Sequence, residues 1–442
     1  MAFLAQELDE YPTGAKRRKI LTMAVLASLI CSYEAAIAPV VPLLLKDMNM
    51  SLSTYGLITA ISFICGAVAS LLGGKLADKY GRVRVLIPMM AVCALLAFAM
   101  VLVNTPTQLA VMRCILAFVD AIAITTTAPL VRDFSPRMGR AQALGFWTWG
   151  PVGANFMAAG IAAITLPMFN NSWHSQFIII GCISLVTSIF IARNIADLSP
   201  RLRAEVLQTE RKVLEDASQN LPAKESSLLR EPVVWAHVLG IGFWLAFYLT
   251  ITAFGQTIMV QTFGKTAAEA SGIMAGFWIM NLISVAAVGR WSDQLQLRRI
   301  FPLAFTLLLL VLLWYFAHLM EQPATSTTTL VIVGALIGGT MGSAYSPWMA
   351  LYSENAEDID PRLQGRAWGL FYFVVRIVAV IVVIAGPMSV EHTGSWRLWV
   401  LISGGFTFVF LVAMLFFKGP WTTKQRLAGP ERHAMPTAAG SH

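Results

Sequence analysis

Four ionisable residues lie deep inside long apolar stretches of this 442-residue chain: Glu34, Arg113, Asp120 and Arg376. A charge near the centre of such a stretch costs about 2.5–3.5 kcal/mol on membrane-insertion scales, so these residues are functional candidates from the outset. Arg113 and Asp120 are seven positions apart, which puts them on one helix face at a separation of about 10 Å. That is too far for a direct pair and suits two groups flanking one cavity. Two carboxylates in a shared low-dielectric cavity oppose each other's ionisation, the condition for taking up and releasing a proton. All four charges balance when ionised. Protonating one acid leaves the set net positive, and an arginine fork pairs with a carboxylate bidentately. These residue types therefore allow proton binding at Glu34 and Asp120 and anion binding at Arg113 and Arg376. A structural ion network between helices, without transport chemistry, is the other reading.

The elements that must position these residues are membrane spans. The chain is 57% hydrophobic and only 13% charged, where a soluble protein carries about 25% charged residues. A spanning helix needs about 20 mostly apolar residues, and that rule predicts twelve spans, roughly at 20–45, 54–74, 85–103, 108–131, 142–166, 175–193, 233–260, 269–290, 300–320, 328–351, 365–389 and 396–417. Only Lys46, Lys265 and Arg397 fall on the far side and Arg113 and Arg376 within spans. All other Lys and Arg lie on the side of the N-terminus, which places both termini in the cytoplasm. The net charge of +8 thus reads as basic cytoplasmic loops rather than as a nucleic-acid surface. The first apolar run is too long for a signal-peptide core and lacks a small-residue cleavage site, so it reads as a retained first helix of a multi-pass inner-membrane protein. Cys31, Cys65, Cys93, Cys114 and Cys182 all fall in apolar stretches, which argues against a disulfide framework. There is no P-loop, no dinucleotide fingerprint and no Cys/His metal spacing, so neither an enzyme, a cofactor nor a metal is expected.

The chain repeats itself. Gly74-Lys75-Leu76-Ala77-Asp78-Lys79-Tyr80-Gly81-Arg82-Val83-Arg84 separates spans 2 and 3, and a weaker Gly289-Arg290-Trp291-Ser292-Asp293 follows span 8. Pro136-Arg137 to Ala141 before span 5 echoes Pro361-Arg362 to Ala367 before span 11, and Ser172-Trp173 before span 6 echoes Ser395-Trp396 before span 12. The expected organisation is an N-terminal six-helix bundle (1–193), a cytoplasmic linker with a solvated or interfacial amphipathic helix (194–232), and a C-terminal six-helix bundle with a short cytoplasmic tail (233–442). Such internal repeats place a binding site between the halves at the bilayer midplane. A carboxylate in the Gly74–Arg84 turn can accept hydrogen bonds from a helix N-terminus.

The Gly74–Arg84 segment fits, at every defining position, the signature G-x-L-x-D-x-x-G-R, and the chain resembles the major facilitator superfamily over essentially its whole length. The resemblance implies an all-α membrane fold of twelve transmembrane helices in two pseudo-symmetric bundles, working by alternating access. It further implies that helices 1, 4, 7 and 10 line a central cavity faced by Glu34 and Asp120, and that Gly74, Asp78, Gly81, Arg82 and Asp293 gate the cytoplasmic side. Asp78 would be the clamp; a mere topology anchor is the bland alternative. The later Gly-Arg pair is missing from the second copy, where Arg298-Arg299 supply the positive charge from a shifted position. Span 4, with Arg113, Asp120 and Asp133-Phe134-Ser135-Pro136, is similar to the anion:cation symporter branch. That branch carries Asp-Arg in span 1, whereas this chain has Tyr33-Glu34-Ala35.

Trp147, Tyr248, Trp278 and Tyr345 lie within spans rather than at the interfacial belts, and together with Tyr33 they suit a substrate with an apolar or aromatic body. Asn155, Gln256 and Asn281 are membrane-embedded amides that either orient polar substrate groups or bond neighbouring helices. His237 and His318 lie near span ends and read as interfacial. Spans 7 to 12 hold no central acid, which puts coupling in the N-terminal half. The expectation is a monomeric secondary transporter whose partners are the lipid bilayer, protons and a small organic anion taken up by symport. A proton-coupled drug or lipid exporter is the first alternative, favoured by Gly145–Gly153, which faintly resembles an antiporter signature. A transporter-like receptor is the second.

Overall fold

The structure is a computed structural model that describes residues 6–134, 146–202, 205, 230–295, 297–359, 364–419 and 421; at 71, 74, 75, 78, 132, 293, 357, 358, 364–366, 368, 369 and 372 it describes the backbone alone. A chain in hydrocarbon must satisfy its backbone polar groups internally, and helices do so within one segment. Among the described residues, twelve helical segments are long and apolar enough to cross a bilayer. The first is α1 (Gly14–Ala35) followed by α2 (Val41–Asp47), joined by a 3-10 turn at Ala38–Val40. Its pattern, with Pro39 in the turn and Pro42 opening α2, breaks the helix where prolines remove backbone donors. The others are α3 (Leu52–Tyr80), α4 (Arg82–Ala99), α5 (Pro106–Asp133), α6 (Trp149–Met168), α7 (Trp173–Asn194), α8 (Pro232–Phe263), α9 (Ala267–Leu295), α10 (Ile300–Leu319), α11 (Thr327–Ile359), α12 (Gln364–Thr393) and α13 (Arg397–Ala413). The all-α, two-bundle expectation holds. In the first bundle α5 packs on α1, α3 and α4; in the second α11 packs on α9 and α10, and α8 on α12 and α13.

Two boundaries differ from the hydropathy reading. α3 runs for 29 residues, about 43 Å at 1.5 Å per residue, against a hydrocarbon core of about 30 Å. Its last turns therefore leave the membrane, and Gly74–Tyr80 are helix rather than turn. The chain reverses at Gly81 alone, with φ +98° and ψ 151°, a conformation essentially confined to glycine. The first residues of the expected linker also hold structure that hydropathy does not show. Residues 196–198 form strand β2 (Ala196–Leu198), which pairs in parallel with β1 (Gln6–Leu8) near the chain's start. Most of 203–229 lies outside the described residues, including most of the charges of the expected amphipathic helix.

This small sheet lies against the start of α4. Asp197 is buried, and one carboxylate oxygen accepts the Val83 backbone N–H at 3.1 Å, on the first turn of α4. The carboxylate-on-helix-terminus contact sought for Asp78 is thus supplied here by Asp197; the Asp78 side chain lies outside the described ones. Arg84 pairs with Glu7 at 2.8 Å, and Arg17 donates to the Phe134 carbonyl at 2.7 Å. Beneath them Arg82 Nε meets Asp133 at 2.8 Å, with both side chains almost fully buried.

The repeats in the sequence have matching contacts. Trp173 donates its indole N–H to Asp47 at the end of α2, and Trp396 donates its own to Gln261 near the end of α8, both at 2.8 Å. Arg298, just before α10, pairs with Glu354 near the end of α11 at 3.0 Å, as Arg82 at the start of α4 pairs with Asp133 at the end of α5. The second copy of the motif, degraded in sequence, therefore keeps an ion pair, made by one of the two arginines that stand in a shifted position for the missing Gly-Arg pair.

The bundles meet where α3 packs on α12, α6 on α9, and the outer end of the first span on α8. At the end opposite the basic loops, Glu391 of α12 accepts the Ser53 backbone N–H at 2.9 Å and its hydroxyl at 2.6 Å. One turn deeper, a Cβ at Gly56 would overlap the Val383 carbonyl oxygen. Tyr55 meets Phe254 edge-on at 6.1 Å. Together these contacts hold the outer ends of the halves together.

Two outcomes follow. Gly81→Ala is expected to destabilise the purified protein by about 1–3 kcal/mol, read as a lower melting temperature in detergent. Glu391→Ala removes a charge-assisted latch worth about 1 kcal/mol at this exposed site. Spin labels at Lys46 and His392 should then show a longer-distance population that grows roughly fivefold.

Candidate functional site

The candidate residues converge inside the first bundle. Glu34 sits near the C-terminal end of α1, 2% exposed, with neither carboxylate oxygen hydrogen-bonded. Asp120 projects from the middle of α5 and is half-buried, with Oδ1 also unpartnered. A carboxylate oxygen of each, together with the Cys31 thiol one turn before Glu34, lie within 4.8 Å of one another. Cys93 of α4 and Ser184 of α7 face the same Glu34 carboxylate. Four helices thus enclose one polar pocket in an apolar bundle. Glu34 is turned into the bundle, so Asp120 is the member of the pair that leads outward.

Arg113 is 8% exposed on α5, and its Nε has no hydrogen-bond partner. Its charge is felt at Asp120 and at the buried Tyr55 hydroxyl of α3. Three of the four membrane charges are therefore one electrostatic unit. Arg376 is placed elsewhere: it is exposed at the seam between bundles and donates Nη2 to Ser70 Oγ of α3 at 3.1 Å. α12 packs on α3, so a residue at its middle meets that helix rather than the acids.

The polar and aromatic candidates divide in the same way. Tyr33 is 2% exposed beside Glu34. Trp147 donates its indole N–H to Thr127 Oγ1 of α5 at 3.0 Å, and Asn155 bonds the Pro151 carbonyl of its own helix. Asn281 donates to the Gly338 carbonyl at 3.0 Å and so ties α9 to α11. Asn281 thus makes a bond that positions helices, and Asn155 one within its own helix. Gln256 is buried on α8. Tyr248 stands edge-on to Trp278 at 5.4 Å. Tyr345 lies between Trp244 and Trp348, with centroids at 6.4 and 5.5 Å, and Trp348 stacks on Tyr352 at 5.5 Å. Positions 345, 348 and 352 share one face of α11, so the second bundle presents an aromatic column where the first presents charge.

Of the gating candidates, Gly81 and Arg82 are described above; the side chains of Gly74, Asp78 and Asp293 are outside the described ones. His237 departs from its interfacial assignment. It is fully buried, stacked on Phe417 at 3.7 Å and beside Asn355 Nδ2 at 3.1 Å. The chain leaving α13 folds back over α8, which hydropathy of α8 alone does not reveal. Cys31 could have been found from its i, i+3 spacing to Glu34. Cys93 and Ser184 come from other helices and carried no signal.

Residues 23–358, and again 237–439, match the model of the Major Facilitator Superfamily. The chain is 22% identical over 404 residues to the hexuronate transporter of Bacillus subtilis (strain 168), covering 88% of this chain and 91% of that one. It is 22% identical to the 4-hydroxybenzoate transporter PcaK of Pseudomonas aeruginosa, covering 83% and 84%. Among solved structures it is similar to a D-xylose-proton symporter, with a TM-score of 0.71, 14% identity, and 93% and 99% of the two chains covered. The two six-helix bundles, their repeated Arg–carboxylate and tryptophan contacts and the match along the chain lead to one conclusion: this protein belongs to the Major Facilitator Superfamily.

Proposed function

We propose that this protein is a proton-coupled symporter of organic anions, carboxylates with an apolar or aromatic body, that works by alternating access. The observation that carries the reading is the approach of the Glu34 and Asp120 carboxylates inside an apolar bundle, with both Glu34 oxygens and Asp120 Oδ1 buried and not hydrogen-bonded. Two negative charges that close, with little water, cannot both persist; a shared proton relieves them. Arg113 beside them then has charge to spare for an anion. The proton binds at the Glu34–Asp120 pair, and its arrival frees Arg113 to hold the substrate carboxylate. The aromatic column of Tyr345, Trp348 and Trp244, with Tyr248 and Trp278, supplies the apolar wall. Two relatives bear the names of transporters for hexuronate and 4-hydroxybenzoate, both carboxylates, and span 4 is similar to the anion:cation symporter branch.

In this reading the protein acts as a single chain in the cell inner membrane with both termini cytoplasmic, and residues 194–232 join bundles 1–193 and 233–442. The cytoplasmic gate is built on Gly74, Asp78, Gly81 and Arg82 with Asp293 in the second copy. Arg376, bonded to Ser70 across the seam, meets the anion only as the halves part.

The test uses proteoliposomes with an imposed pH gradient and labelled 4-hydroxybenzoate or glucuronate as probes. Gradient-driven accumulation is expected with the wild type and lost in Asp120→Asn, while exchange without a gradient persists in that variant. Retained accumulation in Asp120→Asn refutes the coupling assignment. Arg113→Gln should raise the substrate KM roughly 30-fold or more, the loss of a buried charge-assisted pair. Arg113→Lys, which keeps the charge but not the fork, should fall between.

A further inference from the structure

The pocket around Glu34 contains two thiols that proton coupling does not use. Cys31 Sγ, a Glu34 carboxylate oxygen and an Asp120 carboxylate oxygen lie within 4.8 Å of one another. The Cys93 thiol approaches the same Glu34 carboxylate from α4. Cys31 and Cys93 are both fully buried. Neither oxygen of Glu34, itself 98% shielded, has a hydrogen-bond partner. An unpartnered carboxylate aimed at two thiols and a second carboxylate is a set of four donors converging from three helices.

We propose that Cys31, Glu34, Cys93 and Asp120 form a binding site for a soft divalent cation of the zinc class. The donor set selects the ion. Calcium and magnesium take six or more hard oxygen ligands, whereas two sulfurs and two carboxylate oxygens match the four-coordinate preference of zinc and cadmium. Ligand atoms around tetrahedral zinc stand roughly 3.3–3.8 Å apart, from Zn–S near 2.3 Å and Zn–O near 2.0–2.2 Å. The side chains therefore need to close by about an ångström from their present spacing, a matter of rotamers. Binding expels the thiol protons and any proton held by the acids, because thiolates and carboxylates are the ligands. The cation bonds to four deprotonated groups, the protons pass to water, and Arg113 offsets part of the excess negative charge. Asp120, the half-exposed member, is the point of entry.

The site shares its acids with the proposed proton pair, so an ion seated there blocks coupling; that consequence rests on the transport reading, and the binding itself does not. The experiment reads binding alone. Tag-free full-length protein in detergent, carrying Cys65→Ser, Cys114→Ser and Cys182→Ser so that only Cys31 and Cys93 remain as thiols, is titrated with Cd2+. Expected are one equivalent of cadmium per chain, a sulfur-to-cadmium charge-transfer absorption, and release of protons in step with it. Zn2+ should displace the cadmium and abolish the band. Adding Cys31→Ser or Cys93→Ser should weaken affinity about tenfold or more and roughly halve the band; Glu34→Gln should weaken affinity with the band's character kept. Should the triple-serine protein not fold, the wild type before and after Cys31→Ser gives the same difference. A folded protein with no cadmium band, or a band indifferent to Cys31→Ser and Cys93→Ser, overturns the site and shows the two thiols to be packing groups. Either result leaves the proteoliposome assay of Asp120 standing by itself.

Discussion

Hydrocarbon offers no partner to a polar group, and this constraint orders the whole molecule. Backbone groups meet it by forming helices, asparagines by bonding carbonyls, and arginines at the helix ends by pairing with carboxylates. Against that background Glu34 and Asp120 are conspicuous. They lie within membrane spans, near each other, and both Glu34 carboxylate oxygens and Asp120 Oδ1 are buried without a hydrogen bond. A group left in that condition is held there by the surrounding packing, and its chemistry is open to whatever arrives. The proposals of a proton, an anion and a soft cation at this place all start from that one unsatisfied electrostatic demand, with Arg113 beside it.

The helix ends on the side of the N-terminus show the opposite treatment. In each bundle an arginine at the start of the third span pairs with an acid at the end of the fourth: Arg82 with Asp133, Arg298 with Glu354. In each, the chain leaving the sixth span also returns to that same start. Asp197 caps α4, while Arg299 donates to the Met414 and Gly419 carbonyls and lies against the Trp421 ring at 3.6 Å. Each half is thereby tied internally across its own helices. Contacts between the halves are of another kind: small residues, ring edges, the Ser53–Glu391 latch and the Arg376–Ser70 bond. Strong ties within and lighter ones between are what two bodies that rock against each other require.

The span count and the two-bundle class were legible because they rest on local rules, apolar length and repetition; that Glu34 and Asp120 would face one cavity came only from the resemblance, and the cost of buried charge merely singled the residues out. Arg113 and Asp120 could be set on one face by helix geometry alone. What escaped depends on contacts between distant segments. Glu354 was hidden because the second copy of the motif is shifted relative to Arg298-Arg299. Asp197 looked like one charge among many in a polar stretch, and Glu391 like a residue at a span end. Arg376 was drawn toward the acids by its charge, whereas the packing of α12 on α3 takes it to Ser70. The turn assigned to Gly74–Arg84 shrank to Gly81, since helix propensity continues past the membrane boundary that hydropathy detects.

The pairing of β1 with β2 bears on how the protein is made. Gln6–Leu8 emerge among the first residues of the chain, yet their partners Ala196–Leu198 follow only after the sixth span. The strand edge at the N-terminus must therefore wait, unpaired, while six helices enter the membrane. Its closure marks the moment when the first bundle is complete, with Glu7 reaching Arg84 and Ser199 donating to the Leu8 carbonyl at 3.0 Å. In biosynthesis the pairing thus becomes possible only once the sixth span has been made, while the second half is still to come.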